Sequence, residues 1–302
     1  MDGILVIDKP AGPTSHDVVD RVRRALGERR IGHAGTLDPL ATGVLVLVVG
    51  RATRLARFLA AADKAYDAAI RLGIATDTYD ASGKVIAGPA GPPGAEVAAL
   101  PDQAAVARAL AAFVGTYPQT PPAFSAKKVG GVRAYARARQ GAPVEPKPAV
   151  VSAYEIALAS VEGSLVRLRI RCSAGFYVRT LAHALGERLG VGAHLEALRR
   201  TDASGFDISQ AATLASVEQE GAAASQRLVP LAAALPGVPA VALTDEGARH
   251  AAHGRALAGL DFQAPPPAGP GPFRLLGPDG RLVAMARGGT APGVLLPFVV
   301  MG

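Results

Sequence analysis

The 302-residue chain has a single cysteine, Cys172, and no asparagine. One cysteine excludes an internal disulfide and supplies no thiolate cluster for a metal. Long apolar runs are also missing. The longest strongly apolar run, Val44–Val49, is closed by Gly43 and Gly50, far short of the ~20 residues a membrane-spanning helix needs. No secretory leader is read at the start: Asp2 stands where a basic segment belongs, and Ile4–Ile7 is too short an apolar stretch. A cytoplasmic protein without a membrane partner is therefore expected. The missing asparagine, with abundant alanine and an excess of arginine over lysine, is read as genome composition.

Several chemical signatures are absent too. The chain contains no GxxxxGK[ST] phosphate loop, no HExxH zinc helix and no GxSxG elbow, and its six histidines are scattered. The expectation is an absence of cofactor and metal. What is there is positive charge: 32 Lys+Arg against 25 Asp+Glu, a net +7. That balance fits a polyanion such as nucleic acid, and it equally fits a basic protein with no such partner. Phosphate contacts, where present, would come from arginine forks.

The apolar pattern mixes strands and helices without regular alternation. Gly3–Ile7, Lys64–Ile74, Val150–Val161 and Leu165–Cys172 read as strands. Thr14 or Ser15 caps a helix whose apolar face is Val18, Val19, Val22, Ala25 and Leu26. Off that face lie Arg21, Arg23 and Arg24, a solvated basic side. Helical periodicity returns at Gln103–Val114 and at Val178, Leu181, Ala182, Leu185 and Leu189. This is an α+β pattern with an antiparallel sheet rather than a doubly wound parallel one. The stretches 88–94 and 265–272 are Pro- and Gly-rich loops, and a boundary falls near Leu235–Pro239.

Two segments carry candidate chemistry. Asp38 lies in Gly32-His33-Ala34-Gly35-Thr36-Leu37-Asp38-Pro39-Leu40-Ala41-Thr42-Gly43. An Asp-Pro pair is a usual cap of a turn. A carboxylate in a stiff loop beside a cation is instead a nucleophile or base, its pKa lowered by roughly 1–3 units by an arginine. Local sequence does not choose between these. The second segment, Ser173–Thr180, follows a strand in which Val166, Leu168, Ile170 and Cys172 alternate with Arg167, Arg169 and Arg171. Tyr177 and Arg179 flank Val178, off the apolar stripe of the following helix, and face a cleft or solvent.

Taken together, these segments resemble the TruB family of pseudouridine synthases. The opening Gly3–Pro10, Thr14–Val19 and the Gly32–Gly43 run match in order. Asp63–Tyr66, Arg71–Gly73, Thr76–Thr78, Ser125–Lys128, Ser173–Thr180 and Gly192–Leu195 through Leu198–Arg200 follow. The resemblance spans about residues 3–205. It implies the pseudouridine synthase fold, a mainly antiparallel central sheet with flanking helices. It also implies isomerisation of the T-loop uridine at tRNA position 55. Asp38 would be the catalytic aspartate and Arg179 its cation. Tyr66 would stack on the flipped uracil, Tyr177 would line the pocket and Leu198 would form its apolar wall. His33 would fill the gap left in the RNA, and Lys9 with Pro10 would shape the site.

Elementary energetics agree. Extruding a base costs a few kcal/mol, and one base–aromatic stack returns roughly 1–3 kcal/mol. The rearrangement needs neither redox chemistry nor an energy source, in keeping with the missing cofactor motifs. Whether Asp38 attacks C1′, deprotonates C2′ or adds to the base is open at this level. From about Val241 the chain resembles a small PUA-like RNA-binding domain. The division expected is a catalytic domain over 1–236 and a PUA-like domain over 237–302. A start at Met1 with almost no extension, and no second RNA-binding arm beyond the C-terminal domain, favours a stand-alone enzyme acting on the tRNA T-arm; a monomer with no obligatory protein partner is expected. Action on another RNA, or a folding helper without chemistry, are the alternatives.

Overall fold

A computed structural model of the chain describes residues 1–87, 100–124, 128–129, 132–133 and 146–302. The expected loop at 88–94 and positions 125–127 of the Ser125–Lys128 match lie outside the described residues.

The first strand, Gly3–Lys9, is buried along nearly its whole length and pairs antiparallel with Thr42–Val49, Gly3 opposite Val49 and Lys9 opposite Gly43. Near-continuous apolar character suits a strand covered on both faces. Between them runs the helix Ser15–Leu26. Thr14 and Asp17 form its capping box, and Gly27 ends it in the left-handed region at φ 65. Val18, Val19, Val22 and Leu26 are buried, as their spacing predicts. The basic side of this helix is partly taken up by protein: Arg21 pairs with Glu218 and Arg23 with Asp20.

Across the main sheet the strands run Ala212–Thr213, Gly3–Lys9, Thr42–Val49, Ala193–Ala203, Lys64–Leu72, Leu165–Cys172, Ala149–Glu162 and Gly115–Gln119. Two of these pairings are parallel: Gly3–Lys9 with Ala212–Thr213, and Thr42–Val49 with Ala193–Ala203. The others are antiparallel. The α+β expectation holds. The expected strand Lys64–Ile74 ends at Leu72, where Gly73 takes φ 89. The expected helix Gln103–Val114 stops at Ala111, because Gly115 opens a strand.

One face of the sheet is covered by the helices Ser15–Leu26, Gln103–Ala111 and Val178–Leu189. Their apolar residues join Tyr66, Ala68, Ile70, Val166, Leu168 and Ile170 in one core. Arg167, Arg169 and Arg171 alternate outward, as read from sequence. On the other face, Ile4, Val6, Val44, Val46 and Val48 pack with Leu55, Leu59, Leu282, Met285 and Met301. Leu282 and Met285 come from a separate four-stranded sheet of Ala240–Ala242, Phe273–Leu276, Leu282–Gly288 and Leu295–Val300, and Met301 directly follows its last strand. That small sheet has a core of its own, including Val241, Leu243, Phe273 and Leu275. Its helix Asp245–Ala252 is capped by Thr244.

The strand Ala193–Ala203 matters most for the site. It pairs with Lys64–Leu72 through two register shifts, and it meets Thr42–Val49 only where Arg199 faces Thr42 and Arg200 faces Gly43. Gly43 has φ 96, and a Cβ there would fall 2.2 Å from the Arg200 carbonyl oxygen. Only glycine permits this approach. It occurs where the loop carrying Asp38 returns to the sheet.

Candidate active site

The loop from Gly35 to Ala41 is held mainly through its backbone. Ser15 Oγ accepts from Leu37 N (2.8 Å) and donates to Leu37 O (3.0 Å). Lys9, fully buried, donates Nζ to the carbonyls of Ala41 (2.7 Å), Pro10 (2.9 Å) and Pro39 (3.2 Å). Arg200, also buried, donates Nε to Val44 O (2.7 Å) and Nη2 to Gly35 O (3.0 Å). A buried cation is tolerated only when its donors are satisfied, and here the chain reversals around Asp38 satisfy both. Burial lowers the Lys9 ammonium to about 8, against a pull upward from Asp38. Lys64, which donates to Ala60 O at 3.0 Å, is lowered to about 8 for the same reason.

With the loop so fixed, the Asp38 carboxylate meets Arg179 in the first turn of the helix Val178–Leu189. Nη2 donates to Oδ1 at 3.2 Å. Nε lies 2.9 Å from Oδ2 but is not aligned for a hydrogen bond, so this second contact is one of charge. The capping reading of Asp38 therefore fails: its carboxylate is turned to a guanidinium. Arg179 is itself buried and donates to the carbonyls of Phe124 (2.9 Å) and Thr78 (3.1 Å), with Asp80 Oδ2 at 3.6 Å.

Desolvation pushes the Asp38 carboxyl above its ordinary value of 3.8. Arg179 and Lys9 pull it down, while Asp80 adds to the rise. The expected arginine effect has the expected sign, and burial outweighs it.

These groups line a cavity of about 230 Å³ that also takes in Tyr66, Tyr177, Leu198, Lys64, Phe176 and Arg200. Tyr66 and Leu198 are buried in its wall. Burial raises the Tyr66 hydroxyl, opposed by the charge of Arg200. Tyr177 is fixed by a reciprocal amide pair: its N–H donates to Gln119 Oε1 (2.8 Å) and its carbonyl accepts from Gln119 Nε2 (3.1 Å). The arrangement sets the Asp38 carboxylate against the Arg179 guanidinium at the wall of a partly aromatic pocket. That suits a planar, uncharged heterocycle and an ionisable group acting on it.

Five of the seven residues singled out from sequence, Asp38, Arg179, Tyr66, Tyr177 and Leu198, meet at this cavity. Lys9 lies behind the loop and His33 on the short edge strand Ile31–His33, and neither is in the lining. Sequence reading passed over Asp80, Arg200, Lys64 and Gln119. Arg200 and Lys64 stand inside matched segments, so a signal existed. Asp80 and Gln119 act through positions far away along the chain and left none.

The large, mainly antiparallel sheet with flanking helices and a small C-terminal sheet is the pseudouridine synthase fold. Over 99% of its length the chain aligns with a chain of the structure titled "Crystal Structure of a Cbf5-Nop10-Gar1 Complex", covering 85% of it at a TM-score of 0.76 and 24% identity. Residues 23–178 match "TruB family pseudouridylate synthase (N terminal domain)", and residues 179–235 match "tRNA pseudouridylate synthase B C-terminal domain". The chain is 45% identical over 294 residues to the tRNA pseudouridine synthase B of Thermobifida fusca (strain YX), covering 94% of each chain. It is 44% identical over 270 residues to that of Solibacter usitatus (strain Ellin6076), covering 88% of this chain and 89% of the relative. The chain belongs to the TruB family of pseudouridylate synthases, which are isomerases. The two matched segments meet at residues 178 and 179, so Asp38 and Arg179 come from different segments of one continuous sheet domain.

Proposed function

We propose that this chain converts uridine to pseudouridine in tRNA, at the T-loop uridine, with Asp38 as catalytic residue. The observation that carries the reading is the Asp38–Arg179 pair, 2.9 Å apart at its closest, at the wall of a cavity that Tyr66, Tyr177 and Leu198 complete. The names of the relatives above support tRNA as the substrate. A uridine within a folded loop must leave its stack to reach such a cavity. Tyr66 stacks on the extruded uracil, and Leu198 closes the apolar side. His33, outside the lining on an edge strand, is in keeping with a role in the vacated RNA stack rather than in the chemistry. Lys9 positions the loop through its carbonyls and does not touch the base. The N1–C1′ bond breaks, the uracil turns, C5 joins C1′, and the proton that C5 loses is balanced by one that N1 gains. The apolar side formed by Leu198 and the ring of Tyr66 hold the detached uracil in place.

The chain acts alone, as a monomer, its catalytic domain spanning 1–236 and a PUA-like RNA-binding domain spanning 237–302. Support for that division is the separate sheet and core of the C-terminal part.

The test is pseudouridine formation by the purified chain in an unmodified tRNA transcript, mapped by nucleotide. Conversion of the T-loop uridine alone is expected. Conversion at another position, or none with the tRNA bound, overturns the reading.

A further inference from the structure

The loop between Thr76 and Ser82 grips the buried arginine from two sides. Thr78 offers its carbonyl to Arg179 Nη1 at 3.1 Å, and Asp80 sets Oδ2 at 3.6 Å from the same nitrogen. Tyr79 stands between them and has φ 64. A left-handed backbone is uncommon for a bulky aromatic residue. Here it reverses the chain so that both neighbours of Tyr79 reach one guanidinium. Such a conformation persists only when its surroundings over-determine it.

Part of that determination is local. Asp80 accepts from Thr78 Oγ1 (2.7 Å) and Ser82 N (3.0 Å), and the Tyr79 carbonyl accepts from Leu195 N (2.9 Å). The other part comes from the helix that carries Arg179. His183 lies one turn later on the same helix face, and its ring stacks on Tyr79 with centroids 3.9 Å apart and planes 7° from parallel. His183 Nδ1 is buried without a hydrogen-bond partner, so on that side the ring is held by stacking and not by a polar bond. One helix therefore meets one loop twice, through Arg179 and through His183.

We infer that Tyr79 and His183 are positioning residues for catalysis: their stack locks the loop in the form that aims Thr78 O and Asp80 at Arg179, and through Arg179 orients Asp38. The inference rests on the reading of Asp38 and Arg179 as the reacting pair. Neither ring lines the cavity, so the stack acts on turnover and not on RNA binding.

The experiment compares Tyr79→Ala, His183→Ala and the double variant with the ring-retaining Tyr79→Phe and His183→Phe. Single-turnover pseudouridine formation and tRNA affinity are measured for each, together with the guanidinium Nη–H signals of Arg179, which carry the Thr78 and Asp80 contacts, in arginine-labelled protein. Each alanine variant is expected to slow the chemical step by about 10- to 100-fold, the loss that a misplacement of ~1 Å brings, with tRNA affinity unchanged. The double variant should be no slower than the slower single one, and the Phe variants should recover most of the rate. The Arg179 signals should be protected from exchange in the parent and lose that protection in both alanine variants. Full rate in the alanine variants, losses that multiply, or an equal fall in rate and affinity overturns the inference. A parent without activity counts against the proposed function instead, and the Arg179 signals still decide on the stack.

Discussion

The charge arrangement around Asp38 sets what each residue there can be asked to do. Among the described residues, Arg179 is the one guanidinium on the Asp38 carboxylate and, being buried, cannot be replaced by water without rearrangement. Its loss removes the guanidinium that Asp38 and Asp80 share, leaving Lys9, behind the loop, still pulling on Asp38. For Arg179→Ala we expect turnover to fall about 10²- to 10³-fold, the range for removing one preorganised charge stabiliser, with a much smaller change in tRNA affinity. Equal losses in single-turnover rate and in affinity would place Arg179 in RNA binding instead. The lysines behind the site make a separate prediction about stability. Lys9 and Lys64 fall from 10.5 to about 8 in the folded chain. Above pH 8 the native state therefore binds fewer protons than the unfolded one, and stability rises with pH. Cys172, pushed up from 9.0 to about 12, and Tyr117, from 10.0 to about 12, act with the opposite sign at higher pH. The rise is accordingly clearest between pH 8 and 9, at up to about 1 kcal/mol per lysine per pH unit. Denaturant titrations across that window should show it, and Lys9→Met should remove about half; a flat profile contradicts the burial argument.

Secondary structure was legible where its signals are local. The helix Ser15–Leu26 carries its capping box, its apolar spacing and its terminating Gly27 within a short stretch. The alternation of Leu165–Cys172 marks a strand with one face buried. Ala193–Ala203 offered no such pattern, since Leu195, Leu198, Arg200 and Ala203 are buried at irregular intervals through its two register shifts. Its partners are far away along the chain, and sequence reading took it only as part of a matched segment. The site divides in the same way. Asp38, Tyr66 and Arg179 were read from matched motifs. The hold of Lys9 and Arg200 on loop carbonyls is a three-dimensional arrangement that no local pattern encodes. The junction of loop and sheet yields a further prediction. In Gly43→Ala the added methyl group would press on the Arg200 backbone at a φ that L-residues avoid. A loss of several kcal/mol in unfolding free energy is expected, in the upper range for single substitutions, together with loss of turnover. Stability unchanged by this substitution contradicts the tight-junction account.

For the whole molecule, the two sheets share a core on the back of the main sheet while the cavity beside Asp38 is lined from the helix-covered side. The net charge of +7 lies almost wholly in residues 1–236, and Arg57 and Arg287 are exposed beside the groove between the two parts, with Phe58 and Phe298 in its wall. Binding to tRNA should accordingly weaken steeply as salt rises, log affinity falling linearly with log salt, by about 0.7 to 0.9 for each phosphate contacted. A response near zero over a fivefold range of salt removes the phosphate contacts from the account.

The central claim is that Asp38 performs the chemistry and does not merely shape the loop. Single-turnover pseudouridine formation by the parent and by Asp38→Asn, on the same tRNA transcript and with affinity measured for both, tests it most directly. Asparagine keeps the shape of the side chain and removes only its charge and basicity. The account predicts no detectable product from Asp38→Asn, with tRNA affinity and thermal unfolding close to those of the parent. Product formed at a rate near the parent's would contradict it and assign the reaction to another group in the cavity.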